Sequence, residues 1–163
     1  MDSASRSLHA LLVEDDDIKS RHLADHFREQ YPQFSLRIVR SVNEATRSLS
    51  VESFAVVLLD MSLPTFSIKP NYETGGRPQG FGGQEVLRFM RRKRLAIPTI
   101  VITQFEQFGS GADSIDLDGL EDRLKKESDS FVTLIYYHPT TIRWTVELKR
   151  ALTFALGAEV TNE

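Results

Sequence analysis

Residues 54–64 read FAVVLLDMSLP: six apolar residues that stop at Asp60, then Met61-Ser62-Leu63-Pro64. A run this short, rich in branched residues, fits a strand buried on both faces better than a helix. The same shape recurs in both directions along the chain. Residues 8–13 (LHALLV) stop at Glu14-Asp15-Asp16-Asp17, residues 99–102 (TIVI) stop at Thr103, and residues 131–136 (FVTLIY) run into Tyr137-His138-Pro139. Residues 34–39 (FSLRIV) alternate and give a fifth strand.

Between the strands the spacing turns helical. Ile18, Leu23 and Phe27 lie among charges ahead of Pro32. Ser41-Val42-Asn43-Glu44 matches the S-x-x-E capping box, with Val42, Ala45 and Leu49 on one face. Val86, Leu87 and Met90 precede the cations Arg91-Arg92-Lys93-Arg94, which suit a helix C-terminus. Leu120 and Leu124 mark a fourth helix, and residues 142–156 a fifth. Strands alternating with helices five times predict an α/β fold: a doubly wound parallel sheet with right-handed crossovers and helices on both faces. The expected organisation is a single domain over residues 1–163 with its core at about 8–156. The pattern lapses at 65–83, rich in glycine and proline, and at 104–118, which are read as loop expansions.

Composition narrows the function. The 163 residues carry a net charge of −3, 40% hydrophobic residues and no cysteine. Disulfides, a thiol nucleophile and a cysteine-based zinc site are excluded. No apolar run approaches the roughly 18 residues of a membrane span, and residues 1–7 (MDSASRS) lack the apolar core of a signal peptide. The expectation is a cytoplasmic protein with neither a membrane nor a nucleic acid as partner, since nucleic-acid binders are usually strongly basic.

Open α/β sheets bind ligands beyond the carboxyl ends of their strands, so the polar residues there carry the functional argument: Glu14 and Asp15, Asp60, Thr103 and His138. Clustered carboxylates repel one another and invite a cation, and hard oxygen donors suit Mg²⁺. A carboxylate beside such a cation can accept a phosphoryl group as a nucleophile, with a hydroxyl such as that of Thr103 on the phosphoryl oxygens. Each residue also has a plainer role open to it. Asp16 and Asp17, or Asp15 alone, can serve the first helix N-terminus, Asp60 can be a turn residue and Thr103 a cap. Gly80-Phe81-Gly82-Gly83 reads as a flexible connector, since no phosphate-loop spacing follows a strand. Arg91-Arg92-Lys93-Arg94 reads as a solvated helix end. Phe105, Phe108, Tyr136 and Trp144 are either a partner surface or core.

Taken together, residues 11–16 (LLVEDD), 57–64 (VLLDMSLP), Ile102-Thr103 and His138-Pro139 resemble, in this order, the receiver domain of two-component response regulators. The resemblance implies a flavodoxin-like (CheY-like) five-stranded parallel sheet of order 2-1-3-4-5. It implies that Asp60 is the phospho-acceptor, and that Glu14, Asp15, Asp60 and the backbone carbonyl of Ser62 hold Mg²⁺. Thr103 would contact the phosphoryl group and reposition on activation. The implied partners are a histidine kinase or phosphotransfer protein and a downstream protein, with a homodimer through the last-helix face a further arrangement. The implied role is a stand-alone phosphorelay receiver in signal transduction, not an enzyme beyond autocatalytic transfer to and hydrolysis from Asp60.

Three departures stand out. His138 replaces the family's lysine, which pairs with the acceptor carboxylate or its phosphate; histidine is a shorter and conditional cation. Ile135 stands nearest the place of the family's switch aromatic, with Tyr136 and Tyr137 adjacent. Gln104 replaces a small residue and would crowd the acceptor pocket. The resemblance also implies a cis His138–Pro139 bond. These departures keep two alternatives open: a pseudo-receiver that binds partners without phosphorylation, and a small metal-dependent phosphohydrolase with Asp60 as nucleophile. Asp60-Met61-Ser62 lacks the second aspartate such a hydrolase would use as general acid.

Overall fold

The structure is a computed structural model that describes residues 8–66, 80–109, 111–157 and 160. In chain order the elements are β1 (Leu8–Val13), α1 (Asp17–Gln30), β2 (Phe34–Val39), α2 (Val42–Val51), β3 (Val56–Leu59), α3 (Gly82–Arg92), β4 (Thr99–Thr103), β5 (Gln107–Phe108), β6 (Ile115–Asp116), α4 (Leu117–Glu127), β7 (Phe131–Tyr136) and α5 (Arg143–Leu156). The five long strands form one sheet in the order β2-β1-β3-β4-β7, and every neighbouring pair is parallel. This is the flavodoxin-like order 2-1-3-4-5 of the five expected strands.

The apolar strands explain the two-sided winding. Along β1, Ala10 and Leu12 pack with Leu23, Phe27, Trp144 and Leu148 on the α1 and α5 side. Leu11 and Val13 point the other way, into a core with Ala45, Leu49, Val86, Met90, Leu120 and Leu124 from α2, α3 and α4. Period-two alternation with both faces apolar leaves no solvated side, so helices cover each.

Local chemistry sets the boundaries. Asp16 caps α1 by accepting from the Lys19 N–H at 2.8 Å, the plainer role read for this acidic run. Ser41 caps α2 by accepting the Glu44 N–H at 3.2 Å. Glu44 reaches back to the Arg40 N–H at 2.7 Å, one residue before the usual partner in a capping box.

The two pattern lapses resolve differently. Residues 67–79 of the first lie outside the described residues, but its end is no connector: Gly82 and Gly83 are buried and open α3. A Cβ on Gly83 would lie 2.4 Å from the Asp60 carbonyl oxygen, and one on Gly82 only 2.2 Å from that of Leu63. These glycines let α3 press against the segment that follows β3. The second lapse, expected to be irregular, contains the antiparallel pair β5–β6. It folds back to bury Phe108 against Phe81, ring centroids 6.2 Å apart. Phe108 and Trp144 are therefore core residues, not partner surface, because each fills a gap between a helix and the sheet. The cations at 91–94 are exposed, as a solvated helix end should be. His138–Pro139 is trans, contrary to the expected cis bond.

Candidate functional site

The parallel register brings the ends of β1, β3 and β4 side by side, with Val13 beside Leu59 and Leu59 beside Val101. The ladder continues one step further: the Asp60 N–H donates to the Val13 carbonyl at 2.9 Å and the Glu14 N–H to that of Val39 at 3.0 Å. Glu14, Asp15 and Asp60 thus converge, and each offers a carboxylate oxygen within 4.8 Å of the others. Asp15, Asp16, Asp17, Asp60, Ser62, Gln104 and Phe105 line an open cleft of about 430 Å³ over this cluster.

The residue that organises the cluster escaped sequence reasoning. Lys19, on the first turn of α1, is only 1% exposed. Its Nζ lies 2.5 Å from Glu14 Oε2 and 3.1 Å from Asp60 Oδ1, and donates to the Ile102 carbonyl at 2.7 Å. Glu14 Oε1 accepts the Asp16 N–H at 3.1 Å. Two of the three Lys19 ammonium N–H donors are thus hydrogen-bonded, to Asp60 and Ile102, while Glu14 is held as an ion pair. The signal was present in the spacing: Lys19, Leu23 and Phe27 recur at i+4 and are all buried on α1. Ile18, read as part of that stripe, is 76% exposed.

Charge follows from this packing. Burial opposes the Lys19 ammonium, but Asp60 and then Glu14 outweigh it and hold its pKa above the ordinary lysine value. Burial first, and the Asp60 charge second, push the Glu14 carboxyl up to about 8, against the pull of Lys19 and the Asp16 N–H. Asp15 is raised by the same two causes. The ammonium is the fixed charge, and burial, with the Asp60 charge second, makes Glu14 the group that takes a proton. Arg40 braces the rim: it pairs with Asp17 and donates to the Asp15 carbonyl at 2.7 Å.

The other expected site residues fall at varying distances from this centre. Thr103 is fully buried at the end of β4, and its Oγ1 accepts the Phe105 N–H at 3.2 Å, the turn-capping role that had been its alternative. Ser62 and Gln104 both line the cleft with Asp60. His138 is not brought in. It is exposed, its Nδ1 is 2.8 Å from Thr140 Oγ1 and accepts the Thr140 N–H at 3.2 Å, and it borders a separate groove with Tyr136, Thr141 and Glu147. Ile135 and Tyr137 are buried and Tyr136 half-buried.

No protein-family model matches the chain. The Detocs response regulatory protein DtcB of Enterobacter cloacae (strain JD6301) is 32% identical over 101 residues, spanning 61% of this chain and 67% of that protein. The chain belongs to the response regulator receiver family. The uncharacterized protein y4jR of Sinorhizobium fredii (strain NBRC 101917 / NGR234) is 25% identical over 147 residues, 88% of this chain and 96% of that one. Among solved structures, the receiver domain of a Pseudomonas fluorescens Pf-5 HD domain-containing protein superposes with TM-score 0.65 at 17% identity, covering 94% of this chain and 98% of that one. The receiver domain of the sensor histidine kinase PA1611 of Pseudomonas aeruginosa PAO1, with magnesium coordinated in its active site cleft, gives TM-score 0.63 at 18% identity, covering 93% and 98%. At these identities the solved structures show the shared fold. Receivers are signalling modules rather than true enzymes, and among the described residues no helix is long and apolar enough to cross a membrane.

Proposed function

We propose that this receiver takes a phosphoryl group on Asp60 from a histidine kinase or phosphotransfer protein and signals through a downstream protein. The carrying observation is the cluster of Glu14, Asp15 and Asp60 at adjacent strand ends, with Asp60 lining an open cleft. In the transfer, an Asp60 carboxylate oxygen forms the O–P bond while the donor's P–N bond breaks. The electron pair leaves with the imidazole nitrogen, giving an acyl phosphate on this chain.

The donor set fits Mg²⁺. Three carboxylates against one ammonium leave a formal excess of two negative charges, and all the donors are hard oxygens. Glu14, Asp15, Asp60 and the Ser62 carbonyl would hold the ion, with Glu14 shared between it, Lys19 and the Asp16 N–H. Bound there, Mg²⁺ supplies neutralisation of the incoming phosphoryl charge. The response regulatory relative and the magnesium in the PA1611 receiver domain support this reading.

The pseudo-receiver reading has its own support: His138 faces Thr140 and Asp60 is already ion-paired. Incubation with acetyl phosphate and Mg²⁺, followed by intact mass beside an Asp60→Asn control, separates the two. The expected result is a phosphoryl adduct that the control lacks. No adduct, with no Mg²⁺ affinity by calorimetry, overturns the phospho-acceptor reading and leaves the constitutive binding module.

A further inference from the structure

We propose that Lys19 is the cation that holds the phosphoryl group on Asp60, and that its shift is relayed through Tyr137 to Trp144 between α1 and α5. The inference rests on Asp60 being the phospho-acceptor.

The first step is valence. Lys19 Nζ bridges three strand ends: Glu14 after β1, Asp60 after β3 and the Ile102 carbonyl within β4. With hydrogen bonds to Asp60 and Ile102 and an ion pair to Glu14 already around it, a buried ammonium that takes a phosphoryl oxygen has to shift from one of these contacts. Phosphorylation turns the Asp60 carboxylate into a neutral acyl group and places a larger negative charge on phosphoryl oxygens further out. A charged phosphoryl oxygen is a stronger acceptor than a neutral carbonyl, so the contact surrendered is one to a neutral acceptor, the Ile102 carbonyl or the acylated Asp60 oxygen. Lys19 therefore moves when the charge on Asp60 changes.

The second step is what Lys19 touches on its other side. Its Nζ lies 5.9 Å from the centroid of the Tyr137 ring, within cation–π range. The Tyr137 hydroxyl is 2.7 Å from His22 Nδ1 on α1, and its ring is 5.5 Å from that of Trp144 on α5. His22 and His26 meet the same indole edge-on, at 5.2 and 4.9 Å. Close packing transmits small shifts rather than absorbing them. The cation and its aromatic contacts link the acceptor to the α1–β7–α5 side of the sheet, away from Thr103, whose hydroxyl is bonded locally to Phe105.

Trp144 is the only tryptophan in the chain, so its emission reports on this cluster alone. The experiment uses the full chain with Mg²⁺ and acetyl phosphate, read by intact mass, and with Mg²⁺ and beryllofluoride as the phosphoryl mimic, read by fluorescence. In the unmutated protein the adduct forms on Asp60 and beryllofluoride changes Trp144 emission. In Lys19→Met the adduct forms about a hundredfold more slowly and the emission change is lost. An adduct at the unmutated rate with the emission change intact overturns the role of Lys19. No adduct in the unmutated protein overturns the phospho-acceptor reading instead. Should Lys19→Met fail to fold, the unmutated protein decides through its ¹⁵N-labelled lysine ammonium resonances. A shielded ammonium signal that shifts on beryllofluoride addition supports the proposal, and one that stays fixed overturns it.

Discussion

The β1–α1 and β7–α5 junctions flank the same end of the sheet and are built on opposite principles. At β1–α1, Glu14 and Lys19 are each 1% exposed and paired with each other, and Lys19 also reaches Asp60 and the Ile102 carbonyl. At β7–α5, His138, Pro139 and Thr140 are exposed, and His138 bonds only two residues along the chain. In the receiver pattern the site's cation belongs to the second junction; here a buried ammonium enters from the first. The position of the charge, not the identity of the strand that supplies it, is what the acidic cluster requires. A buried carboxylate pair needs a cation within about 3–4 Å, from whichever element can reach.

The most severe way to break the comparison is to delete the buried cation. Lys19→Met leaves Glu14 and Asp60 without their partner and should cost about 3–5 kcal/mol, or roughly 10 °C in Tm. Chemical denaturation without divalent cations measures it. A loss below about 1 kcal/mol would mean the junction does not depend on its cation.

A pH series probes the same charges more gently. Glu14, with an ordinary value of 4.5, is raised to about 8 in the fold, and Asp15 is raised from 3.8. Between about pH 5 and 8 the folded chain therefore keeps protons that the unfolded chain has released. Stability is full below pH 4.5 as far as these groups are concerned, and falls as the pH rises through the folded values. The expected fall is a few kcal/mol, at most about 5, without Mg²⁺, and it should flatten on adding Mg²⁺ or in Glu14→Gln. Stability that rises over this window would reverse the sign assigned to Glu14.

What the residues disclosed and what they hid divides along the same line. The strand runs are nearly continuous apolar segments, so the parallel sheet was legible, as were the acids that end the strands; the strand order came from the receiver resemblance. Lys19 was not, because an apolarity reading puts Ile18 on the inner face although Ile18 to Leu23 is five residues, a poor helical repeat. Spacing alone favours Lys19, Leu23 and Phe27. Hydropathy counts a lysine as solvated, and only the carboxylates of two other segments make its burial favourable. His138 misled in the complementary way: its place in the sequence matches a cationic role, but its side chain is bonded to Thr140. Likewise Gly82 and Gly83 signal flexibility by composition, whereas the contacts of a missing Cβ make them packing residues.

A smaller effect is expected where the two junctions touch. Tyr137 belongs to the β7 end but bonds His22 on α1 at 2.7 Å. Tyr137→Phe removes that bond and keeps the ring, so the loss should be about 1 kcal/mol, measured by the same denaturation. An unchanged midpoint would detach the hydroxyl from the link between α1 and β7.

The least effect belongs to His138, and its smallness is informative. Its contacts are exposed and local, so His138→Ala should change stability by no more than about 0.5 kcal/mol. Combined with Lys19→Met it should be additive within about 0.5 kcal/mol, because the two side chains share no partner. A double-mutant cycle in denaturant tests this directly. A coupling above about 1 kcal/mol would mean that His138 swings toward Asp60 once the ammonium is gone. The two junctions would then be alternative sources of one charge rather than a working one and a surrendered one.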